Sequence, residues 1–392
     1  MPWPLDGGNN IRAYHLVRAI ARVSEVTLFC FAYTEEEQKH MEGLQPFVRE
    51  VFMVSRESCR YRRNEHLPRL LRLFKKILAS CHPMQPVSVQ DWESLEADEL
   101  IQHLNRRRFD LVWGQWLGSV RFLAHFEGAK RVLNLNDIEH RKLGHRLRRS
   151  TFNRSTPFDC IEFLKLRHFE RGLTRLPYEF AVCSEMDKQA LGDGSRIWVV
   201  PNGVELPLAQ PTPRPSTAEL VLLFVGEMSY APNIDAVQFF TRKIFPHIRR
   251  EIPAVRFMIV GREPDHAVKA LHDGQSIIVT GSVPSVEPYL EKATLVVVPI
   301  RFGGGTRIKI LEAMAHGKAV VSTRVGAEGL DLESWKHLLV TDSPSSFTDA
   351  CLLLLRDRPL RERIAAEGFH LVRAKYQWGM IERLVEEIAT TH

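Results

Sequence analysis

The sequence predicts an α/β protein made of two doubly wound domains, and three observations carry that reading. Short apolar runs rich in β-branched residues recur along the chain, helix-length segments separate them, and a proline-rich seam at 207–219, "PLAQPTPRPSTAE", divides the 392 residues in two. Runs apolar on both faces are what a parallel sheet covered by helices requires. A chain of this length also exceeds one ordinary core.

The elements follow in order. The chain opens with "MPWPLDGGNNIRAYHLVRAIA", a Gly-rich turn and then a helix, with no strand ahead of the turn. A doubly wound domain normally sends its first strand into such a turn, so the expectation is a start that falls late, after the first strand. Strand candidates then come at "EVTLFCFA", "VFMVS", "DLVWGQ", "RVLNLND", "YEFAVCS" and "IWVVPNG". In the seam, Pro207, Pro211, Pro213 and Pro215 exclude regular helix or central strand, which makes it a linker. Beyond it the pattern is cleaner: "LVLLFVG", "RFMIVG", "SIIVTG", "TLVVVPI", "KAVVST" and "HLLVT" alternate with segments such as "IDAVQFFTRKIFPHIRR". The expected domains are 1–206 and 220–375, joined by 207–219, with a C-terminal helix at 376–392 packing back toward the first. Ligands of such sheets sit at the carboxyl ends of the strands, here in a cleft between the domains.

Composition narrows the function. Hydrophobic residues at 44% and charged residues at 26% fit a folded protein. A net charge of +6 suggests an anionic partner without naming it. The six cysteines contain no C-x-x-C pair, so neither a zinc site nor a disulfide framework is indicated and reduced thiols are expected. No run approaches the roughly 20 apolar residues that span a bilayer, and no secretory signal is visible. The expected location is the cytoplasm.

The densest signal is "RFGGGTRIKILEAMAHGKAVVST" at 301–323. Glycines just ahead of a helix let an anion reach the unpaired N–H groups and the positive end of the dipole. Arg307 in the first turn would be unfavourable there unless a bound anion offsets it, and Lys309 adds a second cation. The pattern is not a Walker A loop, and Ile308 stands where a G-x-G-x-x-G turn needs its third glycine. A nucleotide diphosphate held by amides and Arg307 remains, with Glu312 further along to accept hydrogen bonds from two adjacent hydroxyls, as ribose offers. The bland alternative is a tight turn before an ordinary amphipathic helix.

Together with "VVPNGVE" at 199–205, "LLFVGEMSYAPNIDAVQFF" at 222–240, "FMIVG" at 257–261 and "VTGSV" at 279–283, this segment resembles the retaining GT-B glycosyltransferases of the group-one (family four) class. More narrowly, it resembles the bacterial sugar transferases of polysaccharide assembly. The first half resembles them weakly, through "PLDGGNNIR", "LNDIEH" and "AVCSEMD". The resemblance implies two Rossmann-like domains facing across a cleft, the first on the acceptor side and the second binding the nucleotide sugar. It also implies no catalytic metal and no cofactor beyond the nucleoside-diphosphate sugar. By resemblance Glu312 binds the donor ribose, Gly305, Thr306 and Arg307 hold the diphosphate, and Gly304 is among the donor-binding residues. Gly226 lies on the donor side, the backbone around Ser282 and Val283 faces the base, and Gly7 and Gly8 close on the phosphate. Arg307 and Lys309 would stabilise the departing diphosphate.

Two departures from the family stand out. Gly304 occupies a place where many members carry a glutamate facing the donor sugar. Glu227 and Pro232 fall where many carry an Arg and a Lys, so Arg307 and Lys309 are expected to take over neutralisation.

In "LNLNDIEHRK" at 133–142, Asp137 and His140 are candidates for contact with the donor sugar and acceptor hydroxyl; the alternative is a capped helix start with Asp137 as N-cap. Residues 59–80, "CRYRRNEHLPRLLRLFKKILAS", read as a basic amphipathic helix. It would dock on the inner face of the plasma membrane, where a lipid-linked acceptor is presented, or else cover the core with a solvated basic face. The expected activity is transfer of a sugar to a glycan or lipid-linked hydroxyl in surface polysaccharide, exopolysaccharide or lipopolysaccharide assembly. Rival readings are a GT-B epimerase and a non-catalytic sugar-nucleotide binder. A nucleic-acid partner has no RNP-like segment or zinc pattern behind it.

Overall fold

A computed structural model describes residues 2, 7–32, 43–55, 59, 85–90, 94–149, 156–192, 194, 196–208 and 219–391. Nearly all of the proline-rich seam and of the basic segment 59–80 lies outside the described residues. The chain divides into two compact units, Met1–Asn202 with Gly379–His392, and Gly203–Trp378. Every run read as a strand from the sequence is one.

In the first unit, β1 (Thr27–Ala32) and β2 (Glu50–Ser55) form a two-stranded parallel sheet. A second parallel sheet has the order β3 (Leu111–Gln115), β4 (Lys130–Leu135), β5 (Glu179–Val182) and β6 (Ile197–Val199). Helix α1 (Gly8–Ala21) opens the unit, with Gly7 extended at its N-cap and Leu16 and Ala19 buried. Helix α2 (Leu95–Asn105) starts where the Ser94 hydroxyl accepts the Ala97 amide, with Glu96 and Asp98 favourably placed in its first turn. Then come α3 (Val120–Leu123), α4 (Glu139–Arg149) and α5 (Thr156–Leu173).

The core of this unit is in pieces. One cluster gathers Leu133, Leu135, Phe180 and Val182 beneath β4 and β5. Another gathers Val54, Ile101, Leu104 and Phe122 on the β2 side.

The second unit has one six-stranded parallel sheet. Its strands are β7 (Val221–Val225), β8 (Arg256–Val260), β9 (Ile277–Gly281), β10 (Leu295–Val298), β11 (Val320–Ser322) and β12 (Leu339–Val340). They lie in the order β12-β11-β10-β7-β8-β9. This is the doubly wound 3-2-1-4-5-6 arrangement, and the chain reverses direction across the sheet between β7 and β10.

The central strands β7, β10 and β11 are buried almost throughout, as near-continuous Val, Leu and Ile dictate, while the edge strand β9 is half-buried. Helices α6 (Ala231–Lys243), α7 (Ile308–Ala315), α8 (Pro344–Arg356) and α9 (Arg358–Lys375) cover the sheet. A single continuous core results, centred on Phe224, Phe240, Phe257 and Phe347, with the Phe240 and Phe257 rings 4.6 Å apart.

The last helix, α10 (Trp378–Thr390), lies mostly in the first unit. There the buried Glu382 accepts hydrogen bonds from His15 Nδ1 at 2.6 Å and Arg18 Nε at 2.8 Å. Burial pushes this carboxyl up, but the bonds from His15 and Arg18 outweigh it and hold it below the usual range.

Candidate functional site

In the second unit, the loops after β7 and β10 border the switch point, the position where doubly wound sheets bind ligands. The loop after β10 is pinned at its start, where Arg301 Nε donates to Asp235 Oδ2 at 2.8 Å and the guanidinium lies 4.3 Å over Phe239. It then turns through two left-handed glycines, Gly303 at φ 122° and Gly305 at φ 75°, a region side chains resist. Gly304 does not share that backbone requirement.

Helix α7 begins at Ile308, one residue later than the sequence suggests, so Arg307 is the N-cap and not part of the first turn. The Arg307 side chain is buried and folds back: Nη1 donates to the Gly305 carbonyl at 2.9 Å and also to the Gly304 carbonyl. Its guanidinium thus binds the turn together. The Thr306 carbonyl accepts the Ile308 amide at 3.1 Å.

Lys309 reaches the other loop. Its Nζ donates to Asn233 Oδ1 at 2.8 Å and sits 4.1 Å from the centre of the Phe224 ring. A Cβ on Gly226 would lie 2.8 Å from that ammonium, so the glycine makes room for it. Asn233 Nδ2 in turn donates to the Glu227 carbonyl at 2.7 Å. Gly226 is itself pressed by Gly261, where a Cβ would come within 1.7 Å of the Gly226 oxygen. Burial, reinforced by Arg307 and opposed by Glu312, pulls the Lys309 ammonium down to about 7.

Glu312, half-buried on α7, makes no side-chain hydrogen bond among the described residues. Burial raises its pKa, and the Lys309 and His316 charges counter that. A carboxylate so placed has all its acceptor capacity left for a ligand. Ser282 and Val283 lie on the loop after β9, two strands away from β7, with Ser282 exposed and Val283 packed against the core. Glu227, in the place of an expected cation, pairs with Arg262 at 3.2 Å.

The first unit holds a different kind of site. The buried Arg12 of α1 donates to Asn134 Oδ1 at 2.8 Å, Asn202 Oδ1 at 3.2 Å and the Pro201 carbonyl at 3.0 Å. Asn134 Nδ2 continues to Asn136 Oδ1 at 2.7 Å and Gln115 Oε1 at 3.0 Å, and Asn136 Nδ2 reaches Asn9 Oδ1 at 3.3 Å. This network ties the Gly7–Gly8 start of α1 to the ends of β3 and β4, close in sequence to Asp137.

Asp137 is half-buried and accepts from Lys142 Nζ at 3.2 Å. It is not the cap of α4. That role belongs to the fully buried Glu170 of α5, whose oxygens accept the Glu139 amide at 2.8 Å and the His140 amide at 3.0 Å. The same carboxylate lies 2.6 Å from His140 Nδ1. A carboxylate already taking two amides is acceptor-only, so Nδ1 is the nitrogen that donates to it and the ring is held by that bond.

Sequence reasoning singled out Asp137, His140 and the Gly-rich turn as candidates but not Arg12, Gln115, Asn134, Asn136, Glu170 and Asn233, which the structure joins to these segments. The one visible signal was the "NLN" alternation, which puts Asn134 and Asn136 on one face of the strand end while Leu133 and Leu135 enter the core. Among the described residues no group of acidic, His and Cys side chains has the arrangement of a metal site, and no helix is long and apolar enough to cross a membrane.

Comparison with known proteins agrees with this architecture. Residues 219–357 match the model of the glycosyl transferases group 1. An uncharacterized 44.6 kDa protein in the cps region of Klebsiella pneumoniae is 23% identical over 163 residues, covering 40% of this chain and 42% of that protein. The phosphatidyl-myo-inositol mannosyltransferase of Mycobacterium leprae is 27% identical over 212 residues, covering 50% of this chain and 55% of that one. The chain therefore spans about half the length of the curated relatives it matches.

Among solved structures, the Anabaena protein HepE in complex with UDP-glucose superposes with a TM-score of 0.61 at 14% identity, over 99% of this chain and 96% of that one. WaaG, a glycosyltransferase involved in lipopolysaccharide biosynthesis, superposes at 0.62 and 13% identity, over 100% and 98%. The second unit therefore carries a glycosyl transferases group 1 segment, and the chain has the GT-B fold, with two Rossmann-like units, of these solved structures.

Proposed function

We propose that the protein transfers a sugar from a nucleoside-diphosphate donor to a glycan or lipid-linked hydroxyl in polysaccharide or lipopolysaccharide assembly, with retention at the anomeric carbon. The observation that carries this reading is the switch-point crevice of the second unit. There a glycine turn, the start of α7, Lys309 and Glu312 converge. Lys309 brings a cation against the loop after β7, which has no basic residue of its own between Gly226 and Asn233.

The chemistry follows from these groups. Charge builds on the departing diphosphate, and the helix end with Lys309 meets it in a fixed geometry, where preorganised donors count most. Arg307 contributes its charge from behind the turn while its hydrogen bonds hold the loop shape. Glu312 accepts the two ribose hydroxyls. The departing phosphate oxygen takes the acceptor's proton on the same face, so no protein nucleophile is needed, and side-chain cations fill the role of a metal. His140, oriented by Glu170, and Asp137 contact the sugar and acceptor from the first unit. Residues 59–80 hold the protein to an anionic inner membrane face, and Gly7 and Gly8 close on the phosphate.

Relatives support the donor and product class: HepE is solved with UDP-glucose, and WaaG acts in lipopolysaccharide biosynthesis. The test screens UDP-, GDP- and ADP-sugars for thermal stabilisation, since a ligand at 100 times its Kd adds about 2.7 kcal/mol. The stabilising donor is then incubated with acceptor glycans and excess EDTA. Transfer of the sugar is the expected result; an epimerised donor without acceptor, or binding without turnover, would replace this reading.

A further inference from the structure

Strands β7 and β8 end in two loops that are laced together. The Gly226 amide donates to the Val260 carbonyl at 3.0 Å, the Met228 amide to the Arg262 carbonyl at 2.9 Å and the Asp265 amide to the Met228 carbonyl at 3.1 Å. Arg262 stands between two left-handed residues, Gly261 at φ 153° and Glu263 at φ 51°. A residue with a side chain rarely adopts such an angle, and where one does the surrounding structure holds it there. The Arg262 backbone is thus fixed, while its side chain reaches across to the loop after β7, where Nη2 donates to Glu227 Oε2 at 3.2 Å.

This pair adjoins the donor seat. The Glu227 carbonyl accepts Asn233 Nδ2 and Asn233 Oδ1 accepts Lys309 Nζ, so one amide side chain links Glu227 to that ammonium. The pair also stands in water, with 35% of the Arg262 side chain and 44% of the Glu227 side chain exposed. Charges that stay hydrated hold each other weakly.

We propose that Arg262 is a phosphate-binding residue and that Glu227 holds it only while the seat is empty: when a diphosphate binds, the guanidinium passes from the Glu227 carboxylate to phosphate oxygens. The inference rests on the donor-seat reading above.

The seat needs another cation. Arg307 is turned back onto the carbonyls of Gly304 and Gly305, and Lys309, titrating at about 7, is only partly charged at neutral pH. A terminal phosphate alone carries about −1.5 to −2 there. A guanidinium meets two phosphate oxygens with parallel charge-assisted bonds, which one exposed carboxylate contact does not match. Nor is Glu227 stranded when Arg262 leaves, because Ser229 Oγ still donates to its Oε1 at 2.9 Å and water reaches the rest. Glu227 therefore competes with the ligand for one guanidinium, and that competition favours release of the diphosphate product.

The test is calorimetry on the full chain at pH 7 with UDP, GDP and ADP, each against its own nucleoside. With whichever diphosphate binds, Arg262→Ala should weaken affinity by about tenfold or more and leave the nucleoside unchanged. Glu227→Gln should tighten the diphosphate by about threefold. The double variant, Arg262→Ala with Glu227→Gln, decides between contact and screening. Contact with phosphate leaves it weaker than the wild type by about threefold or more. Affinity restored to the wild-type value would mean that Arg262 only neutralises Glu227, and equal loss of nucleoside and diphosphate by Arg262→Ala would make it a holder of the loop; either overturns the proposal. Lys309→Gln separates this inference from the reading beneath it. If that variant loses affinity and Arg262→Ala does not, the exchange is wrong and the seat stands; if neither loses any, or the wild type binds none of the three diphosphates, both fall.

Discussion

The two units are both built on parallel sheets with helices and differ in how they are held together. The second has one sheet, one core and a site whose charged groups are only partly satisfied: Glu312 has no side-chain hydrogen bond among the described residues, and Lys309 has a neutral amide for a partner. The first has two sheets, a divided core and a site whose polar groups are bonded to one another through Arg12, Asn134 and Asn136. A satisfied network fixes a shape, since breaking any member strands the others in low dielectric. An unsatisfied charge is costly until a ligand arrives, so it marks where the ligand goes. On the proposed function, the first unit is scaffold and acceptor frame and the second the donor seat.

The sharpest way to break that contrast is Arg12→Ala. It removes a buried guanidinium that serves three acceptors in the first unit, so the expected loss is about 3–5 kcal/mol of that unit's stability. Segment-resolved hydrogen exchange should show β4 and β5 losing protection while β7 and β8 keep theirs. Uniform loss across both units would mean that the network is not a local frame.

Next in size is the turn of the second unit. Gly305 needs φ 75°, so Gly305→Val should cost about 1–3 kcal/mol in backbone strain and abolish nucleotide binding, whereas Gly305→Asn, which tolerates that region, should fold normally. Gly304→Ala adds bulk with no such backbone penalty. Calorimetry with a nucleoside diphosphate then separates space from strain: weak binding by Gly304→Ala in a stable protein means that the ligand needs the room. Full binding by all three variants would reduce the glycines to a tight turn.

The same contrast explains what could be read from the sequence. The proposed donor seat is written almost contiguously in residues 301–312, and its glycines, cations and carboxylate stand in an order that helix-terminus physics interprets. The twelve strands were legible because each is a short run dominated by apolar residues, unbroken where the strand is buried on both faces, as in β7, β10 and β11. The first unit's network was not, because its members come from residues 9–12, 115, 134–136 and 202, and only folding brings them together. Glu170 illustrates the limit. Within α5 it looks like one more surface acid, yet it caps α4 from 31 residues away, a role the sequence suggested for Asp137. The helix boundary at Arg307 was misplaced by one residue because an Arg can enter a helix or cap it, and the choice is made by the carbonyls of Gly304 and Gly305.

Glu312→Ala should be milder than either turn or network change. A ribose hydrogen-bonded to a carboxylate loses about 1.5–3 kcal/mol with it, and the fold should hold because no other residue leans on that side chain. Titration with the diphosphate against its 2′,3′-dideoxy analogue tests the assignment. The wild type should prefer the ribose form and the variant should bind both alike; a preference that persists in the variant places the ribose elsewhere.

The smallest effect, and the one most specific to an unsatisfied charge, concerns Lys309 and pH. Its ammonium titrates at about 7 in the folded chain against 10.5 ordinarily, so between those values the unfolded chain binds more protons. The destabilising cost of the charged form is fully present below about pH 7 and is relieved as pH rises toward 10.5. A bound diphosphate reverses the balance by favouring the charged form, so binding takes up a proton. Affinity should be greatest below about pH 7 and fall as pH rises above it, by at most about tenfold per unit. Measuring above pH 7 keeps clear of the ligand's own phosphate ionisation near 6. Lys309→Gln, which can still bond Asn233, should bind more weakly at pH 7 and show a flat profile from there upward. Calorimetry in buffers of different ionisation enthalpy counts the protons directly. If the wild type takes up none near pH 8 and its affinity does not change with pH, Lys309 does not meet the diphosphate, and the donor seat has lost the group that most distinguishes it from the first unit's closed network.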